Sequence, residues 1–72
     1  MTMTPEALKA LRISLGLDQT QMANALGYSR AAQISDLERG KLPITTQTAL
    51  LAEAYASGWR PASWAQITRA LP

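Results

Sequence analysis

The chain has 72 residues, 47% of them hydrophobic, with two Trp, two Tyr and no Phe. Leu, Ile, Ala and Met must therefore fill a core that buries roughly 60% of the unfolded surface, enough for one domain spanning residues 1–72. With neither Cys nor His, disulfides, zinc fingers and ordinary zinc ligation are excluded, and a net charge of +2 does not by itself argue for nucleic acid.

The first segment, MTMTPEALK, lacks the apolar core of a signal peptide, and no run approaches the ~20 apolar residues of a membrane span. A cytoplasmic protein with no membrane partner is expected. Pro5 follows Thr4 and opens a helix over about 5–15, with Leu8, Leu11 and Leu15 on one stripe. Asp18 is a good N-cap for a second helix over 19–26, which turns Met22, Ala23 and Leu26 inward. A third, over 30–39, buries Ile34 and Leu37. A fourth, over 46–57, follows Thr45-Thr46 and is expected to bury Leu50, Leu51, Ala54 and Tyr55. Pro61 opens a fifth, over 61–71, with Trp64, Ile67 and Leu71 on one face. Gly16, Gly27, Gly40 and Gly58 each follow a helical stretch, where a positive φ is often required. No segment alternates with period two over strand length, so the predicted fold class is all-α.

Between Leu26 and Ile34 lie only seven residues. Helices joined so tightly cross steeply, as in a helix-turn-helix, with Ala23 small enough to let the second approach the third. The stretch LGLDQTQMANALGYSRAAQISDLERGK resembles the Xre/Cro family of helix-turn-helix repressor domains from phages, plasmids and bacterial chromosomes. The matching features are Leu15-Gly16-Leu17, Gln19, Ala23, Gly27, the Ile34, Leu37, Glu38, Gly40 pattern, and Trp64 near the start of the last helix. The resemblance covers about residues 6–68. It implies a five-helix, lambda-repressor-like DNA-binding domain with its helix-turn-helix at about 19–39, usually dimeric and acting as a transcriptional regulator. One departure affects register: many members have six residues from the turn glycine to the buried aliphatic, whereas Gly27 to Ile34 is seven. Either the turn is one residue longer or the third helix starts with an extra residue.

A helix end in the major groove reads sequence because each base pair shows a distinct donor and acceptor pattern there. The candidate base readers are Arg30, Ala32, Gln33, Ser35 and Asp36. Arg30 reaches DNA only if it sits in the turn or at the first helical position, where it suits guanine with a phosphate as the rival contact; fully helical, it would fall toward the core side. Gln33 suits adenine, and Ala32 lets the helix sit close to the groove floor. Asp36 either accepts from cytosine or, as preferred here, pairs with Arg39 three residues on. The candidate phosphate contacts are Gln19, Thr20, Ser29, Arg39, Lys41 and Thr46, the hydroxyls and amides lying at helix starts. Ser29 is also expected to cap the third helix. The resemblance implies that Gln19 clamps a phosphate and props the recognition helix, and that Arg12 pairs with Glu38 as a structural tie.

A two-fold dimer on a palindromic operator would double the contacts, with Trp59, Trp64, Ile67 and Leu71 as the expected intersubunit residues. The expected partners are double-stranded DNA and a second copy of the chain. No cofactor, metal or small-molecule ligand is expected. With no His or Cys, scattered acids and no Gly-rich phosphate loop, an enzyme is not expected either. The alternative is an antitoxin or protein-interaction adaptor that retains the fold, suggested by the modest charge and by Asp36 facing outward.

Overall fold

The computed structural model describes residues 3–69. It contains five helices and, among the described residues, no strand: α1 (Pro5–Ser14), α2 (Gln19–Leu26), α3 (Ala31–Glu38), α4 (Thr46–Ala56) and α5 (Trp64–Ile67). None of these helices is long and apolar enough to cross a membrane.

The helix starts follow from local chemistry. Thr4 Oγ1 accepts from Ala7 N at 3.0 Å, and Pro5 sits in the first turn, where a missing N–H costs nothing. Asp18 and Gln21 form a reciprocal cap on α2: Asp18 Oδ1 accepts from Gln21 N at 2.7 Å, and Gln21 Oε1 accepts from Asp18 N at 3.0 Å. Thr45 Oγ1 accepts from Thr48 N at 3.2 Å at the head of α4. α2 ends at Gly27 with φ +81°, a left-handed conformation that lets Tyr28 N donate to the Ala23 carbonyl at 2.8 Å.

The core consists of Leu8, Leu17, Met22, Ala23, Ala25, Leu26, Ile34, Leu37, Ala52 and Tyr55. α2 packs most extensively on α3, Ala23 is buried in the core, and α1 also packs on α3. Tyr55 is fully enclosed, and its hydroxyl donates to the Ala25 carbonyl at 2.8 Å, tying α4 to α2.

Two expectations are corrected. Leu50 does not enter the core; it is 61% exposed, while Thr48, Ala52 and Tyr55 form the buried stripe. At ~100° per residue Leu50 lies about 200° from Thr48, on the opposite side of the helix. Leu51 and Ala54 fall at the edges and are half-buried. The fifth helix spans only Trp64–Ile67, not 61–71. Pro61 opens a turn, its carbonyl accepting from Trp64 N at 3.0 Å, rather than the helix itself. At the other end the Thr68 hydroxyl donates to the Trp64 carbonyl at 3.0 Å, and the Thr68 carbonyl accepts from Gln21 Nε2 at 2.8 Å. Side-chain competition and a tertiary contact thus hold the chain at Thr68 against α2.

Candidate nucleic-acid interface

α3 is presented by polar ties at both ends. At its C-terminal end, Glu38 lies almost wholly out of solvent, with its side chain 5% exposed. Arg12 Nε donates to Glu38 Oε2 at 2.6 Å and Arg12 Nη2 to Oε1 at 3.3 Å, a forked approach from α1. Gln19 Nε2 adds a third donor to the carboxylate, reaching Oε1 at 3.3 Å, so the first residue of α2 touches the last residue of α3. Arg12 Nη1 donates to the Leu17 carbonyl at 3.1 Å, which fixes the α1–α2 link to the same guanidinium. One cluster therefore joins α1, α2 and α3, and one amide proton of Gln19 is left over for a further acceptor.

At the N-terminal end, the seven-residue spacing is absorbed by the turn. Gly27, Tyr28, Ser29 and Arg30 separate α2 from α3, and helical geometry starts at Ala31. Tyr28 folds inward, its hydroxyl 2.8 Å from Thr48 Oγ1 on α4. Ser29 is not the N-cap. The longer turn moves that position to Arg30, whose backbone is extended (φ −145°, ψ 147°), and Ser29 stands one residue before it. The acceptor at this end is Gln33 from the third helical position: its Oε1 accepts from Ser29 N at 3.0 Å, Ser29 Oγ at 3.1 Å and Arg30 N at 3.1 Å. A glutamine at that position reaching back to the cap N–H is half of a capping box. The pattern Arg30-x-x-Gln33 carried this signal, and assigning the cap to Ser29 concealed it.

Arg30 and Ala32 are exposed at the leading end of α3, with Ser29 beside them. Ser35 and Asp36 are half-buried further along. Asp36 Oδ1 accepts from Arg39 Nη2 at 3.2 Å, an i,i+3 ion pair with both side chains substantially exposed. Such a pair contributes about 0–1 kcal/mol and leaves Arg39 able to reorient toward another anion. Lys41 is exposed just beyond, with its N–H donating to the Asp36 carbonyl at 2.8 Å. Thr20 and Thr46 are exposed in the first turns of α2 and α4. The carboxylates near the face are thus matched by Arg12 and Arg39, while Arg30 and Lys41 carry no ion pair among the described residues.

The C-terminal segment folds back on its own core. Trp64 and Ile67 are half-buried against it, and the Trp64 ring lies 5.3 Å from Tyr55. Arg60 sits 5.0 Å above the Trp64 ring and donates to the Tyr55 carbonyl at 3.0 Å. Burial raises the pKa of the Tyr55 phenol above its ordinary value, with the Arg60 charge partly opposing it. Of the residues assigned to a dimer contact, Leu71 lies outside the described residues, and among the three described Trp59 is the most open, at 46% exposure.

Against known proteins, residues 6–71 match the family model of a helix-turn-helix domain. No curated protein and no solved structure matches the chain.

Proposed function

The chain belongs to the helix-turn-helix domain family, a DNA-binding family, and from that premise we propose that it is a sequence-specific transcriptional repressor of the Xre/Cro type. In this reading it is cytoplasmic and acts as a homodimer on a palindromic operator, with α3 in the major groove of each half-site. The observation that carries the reading is the exposed leading end of α3, with Ala32 in its first helical turn and Arg30 at the end of the preceding turn, which is tied to the scaffold by Gln33 and Tyr28. Arg30, in extended backbone just ahead of the helix, is free to reach a guanine edge with its forked donors. Gln19, Arg39 and Lys41 at the C-terminal end of α3, with Thr20 and Thr46 in the first turns of α2 and α4, serve as phosphate contacts, which position the helix without specifying sequence.

Selection of bound duplexes from a random pool tests this. A two-fold symmetric site with half-sites about 34 Å apart is expected, and log affinity should fall linearly with log salt. Arg30→Ala should relax one base position per half-site and cost ~1–3 kcal/mol. Lys41→Ala should instead weaken all sequences alike and reduce the salt slope by about 0.9 for each phosphate left without its lysine. Failure to retard any duplex at low salt would transfer the assignment to a protein-interaction role.

A further inference from the structure

We infer that Gln33 reads bases as a donor only, selecting a keto base (guanine O6 or thymine O4) over an amino base. The assignment rests on the DNA-binding reading above. A glutamine amide has one acceptor oxygen with two lone pairs and a nitrogen with two donors. The oxygen of Gln33 is already occupied by the Ser29 and Arg30 backbone N–H groups and by the Ser29 hydroxyl, at 3.0, 3.1 and 3.1 Å. Two of these three are backbone donors, so the atom facing them must be oxygen, and the reversed amide orientation is excluded chemically. The nitrogen makes no hydrogen bond to the described residues and carries the only unused polar capacity of the side chain.

Pairing a glutamine with adenine uses both ends of the amide, the oxygen accepting from N6 and the nitrogen donating to N7. Here the first half would require breaking the turn that places Arg30. The adenine pairing expected for Gln33 from its residue type is therefore displaced. What remains best matches N7 with O6 of guanine, or O4 of thymine; adenine also offers N7, but there the Gln33 nitrogen would face the N6 donor where guanine has the O6 acceptor. Cytosine presents only a donor in the major groove and is rejected. The same hydrogen bonds also make Gln33 a positioning residue for Arg30, so one side chain sets two adjacent specificities.

The decisive variant is Gln33→Glu in the full chain. A carboxylate keeps the acceptor for Ser29 and Arg30, and negative charge is favourable at a helix N-terminus, so folding is retained. The outward atom changes from donor to acceptor, and overall affinity falls because the new charge faces phosphates. Parallel selections on wild type and Gln33→Glu should show one position per half-site that is enriched roughly tenfold for guanine or thymine in wild type. That same position should turn to adenine or cytosine in the variant, with the thermal midpoint unchanged or raised. Gln33→Met, lacking both functions, should lose the preference at that position and lower the thermal midpoint. Wild-type enrichment of adenine at the position that Gln33→Glu alters, or identical selected sites for both proteins, overturns the donor-only assignment alone. If wild type binds no duplex at low salt, the DNA-binding reading falls and takes this assignment with it.

Discussion

Replacing Arg12 with Met keeps most of the aliphatic stem but removes three donors: Nε and Nη2 to Glu38 at 2.6 and 3.3 Å, and Nη1 to the Leu17 carbonyl at 3.1 Å. Glu38, with 5% of its side chain exposed, then keeps only the Gln19 amide at 3.3 Å. Removing one partner of a buried pair costs ~3–5 kcal/mol because the other charge stays out of water. Arg12 retains 15% exposure, so water can reach the site and the lower end, about 3 kcal/mol, is expected. A chain of this length is stable by roughly 4–11 kcal/mol, so the variant should be marginal, with its thermal midpoint lowered by about 12–24 °C. Adding Glu38→Gln removes the stranded charge and should recover much of the loss. Urea unfolding of wild type, both single variants and the double variant gives a coupling energy, expected to be about 2 kcal/mol or more. A single-variant loss below about 1 kcal/mol, or additive effects in the double variant, would refute the view that this pair holds α3 to α1.

Gly27→Ala should cost about 1–2 kcal/mol in urea unfolding, since φ is +81° and nothing lies within 4 Å of an added Cβ; the penalty is conformational only. Leu50→Ser should change stability by less than about 0.5 kcal/mol, while Leu37→Ala should cost ~2–5 kcal/mol; equal effects would contradict the assigned faces of α4 and α3. Tyr55 supplies a pH test. Its phenol stays protonated in the folded state to higher pH than in the unfolded chain. Its stability contribution is therefore full below the ordinary tyrosine pKa of about 10 and lost as pH rises toward the higher folded value. Tyr55→Phe should be less stable at neutral pH, because the Ala25 carbonyl loses its donor, and its stability should fall less steeply above pH ~10. Parallel alkaline limbs for the two proteins would contradict the assignment.

Helix number, class and most boundaries were legible because they depend on neighbours in sequence. Thr4, Asp18 and Thr45 cap through side chains that reach three residues along, and the four glycines mark helix ends where φ turns positive. These are short-range hydrogen bonds and steric limits, and the sequence alone determined them. The tilt of α4 was not legible: Leu50 and Ala52 differ in burial because of where α1 and α2 lie, and an apolar count cannot rank a leucine against an alanine. Nor was the end of α5, which depends on Gln21 reaching Thr68 across 47 positions. The leading end of α3 depended most on tertiary structure. Ser29, Arg30 and Gln33 were all visible as polar residues near a helix start. The extra turn residue, anchored by Tyr28 against Thr48, shifted the cap by one position and turned the Gln33 oxygen inward. The hydrogen bonds that orient Gln33 span only three or four residues, but which residue becomes the cap is set by Tyr28 packing on Thr48, twenty positions along the chain, and a sequence pattern does not fix that packing.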